Sequence, residues 1–417
     1  MHVLYVHNSF PGQFGPISSH VAEKLGWRVT FVSLSPSGKS GGIERIGYKP
    51  ASGATKATHF CSRTFENNVW STAAVYDALA ARPDIKPDLI VGHSGFGSTL
   101  FLPELYPDVP VVNLFEYYYR PHHPDSDMDF RSDLGWPVPV RNFQRSRCRN
   151  AMILLDLQAA RAGYTPTRFQ KSCFPAEYAS KIEVIFDGID RRVYHGHAEA
   201  LRPPPAARTT RTIAGVEVGP TTRVVTYVSR GFESMRGFDI FMKSARLIAR
   251  ERPDTLFFVV GTDNHAYGGD ENHIAPHKTF REWVLAQGKY DLTKFVFTGR
   301  LAQPELARLL AATDLHIYLT VPFVLSWSMM DAMSCGAVVL GSDTAPVREM
   351  IRDGENGLLA DFFSPEAIAA KAVKVLDDPG AYRTLGRAAE EMIDREYSLE
   401  AVTPAMLQLY HRAMNGA

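Results

Sequence analysis

Short apolar runs rich in β-branched and aromatic residues alternate with longer stretches of helical spacing along this chain, and that alternation predicts an α/β fold built on parallel sheets. Residues 2–6 (HVLYV) read as a buried strand, ISSHVAEKLG as a helix and RVTFVSL as the next strand. TFENNVWSTAAVYDALAARP is a long helical pattern ahead of the strand DLIVGH, and PVVNLFEYYY continues the sheet. VRNFQRSRCRNAMILLDLQAA is helical again, and the strand IEVIF with the turn DGIDRRVY closes the first half. AEALRPPPAARTTRTIAGVEVGP has little periodicity and reads as a connector with the edge of a second domain. The pattern resumes in RVVTYVSRG, FFVVGTD and KFVFTGRL, all strand-like. LHIYLT, SWSMMDAMSCG and AVVLGS then give strand, helix and strand within about 30 residues, a βαβ unit with a right-handed crossover. PEAIAAKAVKVLDD and GAYRTLGRAAEEMIDREY are amphipathic helices, followed by a last helix in SLEAVTPAMLQLYHRAM.

A chain of 417 residues exceeds one ordinary core, so two domains are expected. Lys plus Arg and Asp plus Glu number 45 each, a balance that argues against a general nucleic-acid surface. Cys61, Cys148, Cys173 and Cys335 lack C-x-x-C spacing and read as free thiols, with no zinc site or disulfide framework. HVLYV is too short for a signal-peptide core and no apolar run reaches membrane-spanning length, so a cytoplasmic location is expected.

Chemistry in a parallel sheet collects at the C-terminal ends of its strands. Val321–Ser326 takes that place after LHIYLT, and the amides of the following helix are expected to offer an anion site suited to phosphate. His93 stands just past DLIVG, either as a ligand or as a satisfied polar residue. Glu116 beside Tyr117, Tyr118 and Tyr119 suggests a sugar-stacking wall or a structural aromatic cluster. The first loop carries Gly12 and Gly15 without the G-x-G-x-x-G dinucleotide fingerprint. Asp125, Asp127 and Asp129 form a D-x-D-like run, but they lie in a polar excursion without strand pattern and read as solvated loop. His265, His273 and His277 fit no zinc spacing and read likewise. Arg141, Arg145 and Arg149 recur one turn apart and read as a solvated helix face, with membrane-surface contact the alternative.

The stretch from Asp314 to Asp361 resembles the nucleotide-binding segment of the family 4 retaining glycosyltransferases, whose fold is GT-B. Against the family pattern E-G-F-G-x-x-x-x-E-A-M-A-x-G, the second acid falls on Asp331, followed by Ala332, Met333, Ser334, Cys335 and Gly336. The first falls on Phe323, which is no carboxylate. Glu349, Gly354 and Gly357 match the run G-x-x-E-x-I-x-D-G-x-x-G-x-L. RVVTYVSRG with ESMRGF is similar to the family's diphosphate-gripping segment, with Arg230 at its arginine and Arg236 at its lysine position. Asp187, Gly188, Ile189 and Asp190 resemble the N-G-V-D turn between domains, with Asp187 replacing asparagine.

The resemblance implies two Rossmann-like domains facing across a cleft: 1–190 for the acceptor, 191–395 for a nucleotide sugar, and 396–417 as a helix returning to the first. It implies transfer of a sugar, with retention, from a UDP- or GDP-sugar to a small-molecule, saccharide or lipid-linked acceptor, with no metal and no further cofactor. Arg230 and Arg236 would hold the leaving diphosphate. Asp331 would accept from the ribose, Glu349 would lie near the base or phosphate, and Phe323, Val324, Leu325 and Ser326 would border the donor. Gly12 and Gly15 would line the cleft, with Gly261 and Gly299 around the base. Glu116 falls where the family carries an acceptor-side histidine, and Phe14, His93, Tyr117 and Tyr118 would join it. The competing readings are a protein that binds a nucleotide sugar without transferring it and an epimerase of the same fold.

Overall fold

The computed structural model describes residues 1–97, 99–123, 130–196, 207–264, 266–267 and 269–416. The aspartates of the D-x-D-like run and His265 lie outside the described residues. The chain divides into two compact units, Met1–Ser126 with Val138–Gly188 and Leu399–Ala417, and Asp127–Pro137 with Ile189–Ser398.

The first unit carries β1 (His2–Val6), β2 (Arg28–Ser33), β3 (Gly38–Ser40), β4 (Ile43–Gly47), β5 (Leu89–His93), β6 (Val111–Leu114), β7 (Ala162–Thr165) and β8 (Ile182–Val184). They form one sheet in the order β3-β4-β2-β1-β5-β6-β7-β8, parallel throughout except where β3 meets β4. β1, β5 and β6 are buried along their whole length, which continuous apolar runs between two helical layers require. Chain order departs outward from β1 in both directions, so the loops after β1 and β5 face the topological switch point of this sheet. Leu399–Asn415 is a helix of this unit, with Tyr410 fully buried.

The second unit has a hairpin, β9 (Arg211–Ile213) with β10 (Val216–Val218), and a six-stranded parallel sheet. Its strands are β11 (Arg223–Gly231), β12 (Thr255–Thr262), β13 (Phe295–Gly299), β14 (Leu315–Tyr318), β15 (Val339–Ser342) and β16 (Leu358–Ala360), in the order β13-β12-β11-β14-β15-β16. The switch point here lies between β11 and β14. A buried pair of Arg208 with Asp314 fixes the entry to β14, because Asp314 also accepts from Val224 N at 2.9 Å.

Two expectations change. The strand expected over IEVIF stops at Val184, and β3, β4, β7 and the hairpin were not legible, being short and rich in glycine and charge. Asp127–Pro137 was expected in the first domain and clusters with the second unit. Its described part shows why. Phe130 packs on Phe362 and Phe363, Trp136 stacks on His273 at 4.9 Å, and Arg131 pairs with Asp239 at 2.8 Å.

Candidate functional site

The residues singled out in the sequence fall into two groups, one per unit. In the first unit His7 directly follows β1, His93 ends β5 and Glu116 lies two residues beyond β6, so three polar side chains reach the C-terminal edge of adjacent strands. His93 donates from Nδ1 to Ser94 O at 3.1 Å, which leaves Nε2 as an acceptor. The Gln13 amide nitrogen lies 3.4 Å from that Nε2 and donates to Glu116 Oε1 at 3.3 Å, while Glu116 Oε2 stands 3.7 Å from the same ring nitrogen. Gln170 donates to the Glu116 carbonyl at 2.6 Å, and Thr167 in turn donates to Gln170 at 3.0 Å, so the backbone beneath the carboxylate is fixed.

Burial pushes the pKa of His7 and of His93 down to about 4, so both imidazoles are neutral near pH 7. The His7 Nε2 is buried with no partner among the described residues, and its ring meets that of His93 edge-on at 5.2 Å. His7 was passed over in the sequence, although its place one residue past the first strand was the available signal. Gly12 is needed beneath this ring: its φ is +51°, and a Cβ there would come within 2.5 Å of His7. Gly15 opens the helix Gly15–Leu25.

Two acceptor-side expectations need correction, and a third residue is only half-buried. Phe14 is 0% exposed and packs on Tyr5 at 5.4 Å, so it supports the site from the core and offers no contact surface. Tyr118 packs against Phe174 at 5.7 Å, on the hydrophobic core. Tyr117 is buried edge-on to Tyr119 at 5.3 Å. Side chains alternate along an extended segment, so Tyr117 is turned inward while Tyr118 stays half-buried.

In the second unit Arg236 stands at the switch point. It ends a short turn, Ser234–Arg236, and is 5% exposed with no carboxylate partner among the described residues. Its Nη1 donates to Thr320 Oγ1 at 2.7 Å and to Val324 O at 3.1 Å, which ties the loop after β11 to the loop after β14. The guanidinium carbon lies 5.1 Å from the Tyr267 ring centroid and 5.9 Å from that of Phe323, and the two rings meet at 5.4 Å. Phe323 thus forms an aromatic wall beside a cation, where the family pattern places an acid. Arg230, by contrast, is exposed on the last turn of β11.

The loop carrying Tyr267 was expected to be solvated, and much of it is not. Buried Glu233 accepts from Ala266 N at 2.7 Å and Tyr267 N at 2.9 Å, and Asp270 accepts from Ser234 N at 2.7 Å. These carboxylates stitch the loop to the turn that presents Arg236, a pairing across more than 30 residues that no local pattern announces. Gly261 permits the close packing: a Cβ would fall 2.2 Å from Ser229 O. Gly299 ends β13.

The anion site expected from the amides after Ser326 is largely occupied. Ser326 N donates to the Tyr318 hydroxyl at 2.8 Å, and Ser328 N turns back to Ser326 Oγ at 3.4 Å. Val324 and Leu325 are buried, and the Val324 carbonyl is held by Arg236. Glu349 is half-buried at the end of the short helix Ala345–Arg348.

Asp331, on the helix Trp327–Ser334, is 7% exposed, and its carboxyl group makes no hydrogen bond or ion pair among the described residues. Burial raises its carboxyl well above the usual range, so the folded state holds that proton more tightly than the unfolded chain does. Its contribution therefore turns unfavourable as pH rises above the unfolded value near 4. Asp331→Asn is expected to flatten this dependence and raise the melting temperature at pH 7, by roughly 2–4 °C per kcal/mol recovered. Melting curves from pH 4 to 8 check it; parallel curves for the two proteins would show that the carboxylate carries no burial penalty.

Comparison with known proteins matches residues 25–193 to the glycosyl transferase family 4 group and residues 211–392 to the glycosyl transferases group 1. N-acetyl-alpha-D-glucosaminyl L-malate synthase of Bacillus anthracis is 25% identical over 118 residues, 28% of this chain and 30% of that relative, so the match spans less than half of the curated protein's length. Among solved structures, sucrose-phosphate synthase from Thermosynechococcus elongatus superposes with a TM-score of 0.70 at 17% identity, covering 100% of this chain and 99% of that one. Anabaena HepE in complex with UDP and glucose gives 0.65 at 15% identity, with 98% of each chain covered.

Proposed function

From a chain that belongs to the family 4, group 1 glycosyltransferases and has the GT-B fold of two Rossmann-like domains, we propose an enzyme that transfers a sugar from a nucleoside diphosphate sugar, with retention, to an acceptor bound by the first unit. The observation that carries the reading is Arg236, a desolvated cation without an ion pair among the described residues, placed at the switch point of a parallel sheet. A leaving diphosphate supplies the missing negative charge, and a preformed cation there stabilises charge as the glycosidic bond breaks. Arg230 reaches the same anion from the exposed end of β11. Asp331 accepts from ribose hydroxyls, which supplies the donors its buried carboxylate lacks in the protein.

UDP is the first nucleotide to test, since a structure of similar fold holds it. A panel of nucleoside diphosphates and their sugars, followed by thermal shift, is expected to single out one base, because a ligand of the folded state raises its melting point. Release of the diphosphate from the selected donor then tests catalysis. Arg230→Ala is expected to weaken the diphosphate about tenfold, the low end for a charge-assisted contact at an exposed side chain. Absence of any stabilising nucleotide would overturn the proposal. The aromatic Phe323 at the usual acid favours a second reading, binding without transfer; tight donor binding with no turnover under any acceptor would establish it.

A further inference from the structure

Helix Val140–Ala159 and the start of helix Arg63–Ala80 hold a group of arginines that the transfer chemistry does not use. The Arg141 and Arg145 guanidinium carbons lie over the same Phe60 ring, 5.4 and 5.1 Å from its centroid, and that of Arg149 lies 4.4 Å over Tyr119. Arg63 lies on the neighbouring helix and donates to the carbonyls of Thr58 and Lys56. None of these four has an ion pair among the described residues, and Glu66, the acid of that first turn, accepts from Trp70 at 2.8 Å. Arg145 is half-buried, with its Nε enclosed and unpartnered. Burial, then the charges of Arg149 and Arg63, lower its pKa. A surface read as solvated would turn these side chains outward to water. Here aromatic faces hold like charges together one helical turn apart, an arrangement that repels itself unless an anion is shared.

The cluster is joined to the acceptor side. Asn150, one residue past Arg149, accepts from Tyr119 N at 3.0 Å and donates to Tyr119 O at 2.9 Å, pinning the segment that begins at Glu116. We propose that Arg145 and Arg149, with Arg63, bind a phosphate group carried by the acceptor. The paired guanidinium forks match phosphate oxygens, and no carboxylate among the described residues forms an ion pair with them. That the phosphate belongs to the acceptor rests on the transfer reading above; that an anion binds here does not.

The test uses the full chain saturated with UDP, which occupies the donor site, and titrates inorganic phosphate, glycerol 1-phosphate and glycerol by calorimetry. Vesicles of phosphatidylcholine with and without phosphatidate are followed by co-sedimentation. Glycerol 1-phosphate is expected to bind at least about tenfold more tightly than glycerol, and Arg145→Gln with Arg149→Gln to abolish that preference while UDP affinity stays unchanged. Preference for the soluble phosphate or for phosphatidate vesicles assigns the source of the group, and either supports the site. Equal affinity for glycerol and its phosphate together with indifference to phosphatidate, or an unaltered preference in the double variant, overturns it. Failure of UDP to bind would instead sink the donor reading, with the arginine comparison still decided by the phosphate titration.

Discussion

Arg236→Ala is expected to lower the affinity for the nucleoside diphosphate by about 1.5–3 kcal/mol, roughly 10- to 150-fold, because charge-assisted contacts from a largely buried cation are lost. The free protein should respond differently. Arg236 is 5% exposed and faces two hydroxyl or carbonyl oxygens and two rings, with no ion pair among the described residues and only the nearby charge of Glu233 to offset its desolvation. A residue retained for stability would cost folding free energy on removal, whereas a cation waiting for an anion should cost little, even though Thr320 Oγ1 and the Val324 carbonyl lose a donor. Calorimetry with the diphosphate and melting curves without it separate the two. Arg236→Lys provides the intermediate case: the charge remains, but a single ammonium cannot hold both loops and a phosphate with the reach of a planar fork. Unchanged diphosphate affinity in the alanine variant would remove Arg236 from the site.

The parts of the fold legible in the sequence are those with local cause. β1, β5 and β6 are continuous apolar runs, and the βαβ unit around β14 and β15 declares itself by the change from strand to helical spacing. The two cationic positions were legible only through resemblance, since nothing in VSRG or SMRG by itself distinguishes a phosphate clamp from a surface arginine. What distinguishes Arg236 is tertiary: Thr320, Val324, Tyr267 and Phe323 arrive from two other loops. The same holds for Glu233 and Asp270, acids whose backbone partners lie about 35 residues away. Phe14 and Tyr117 illustrate the opposite error. Aromatics at a strand end look available for sugar stacking, yet burying them is worth about 1.5–3 kcal/mol each, and the core takes them unless something holds them out.

Glu116→Gln is expected to lower turnover by about 10²- to 10⁴-fold, the range for a side chain that manages a proton in the transition state, with little change in diphosphate affinity. The substitution is nearly isosteric, and the local frame should survive it. Gln170 still holds the carbonyl of residue 116, and Gln13 can still donate to the remaining amide oxygen. What is removed is the negative charge beside the His93 Nε2 lone pair. Two acceptors, Glu116 Oε2 and His93 Nε2, stand 3.7 Å apart, an arrangement suited to a hydroxyl placed against them. The acceptor hydroxyl would supply the donor. The pH dependence tests the assignment: burial keeps His93 and His7 neutral until pH falls to about 4, so neither contributes a titration near neutrality. The glutamine variant should therefore fall below the wild type by the same factor across the neutral range, since no histidine of the site changes its charge there. Wild-type turnover in that variant would show that the carboxylate is only a fixed polar neighbour of the buried histidines. A large fall in both turnover and melting temperature, unrelieved by Glu116→Asp, would instead mark it as structural.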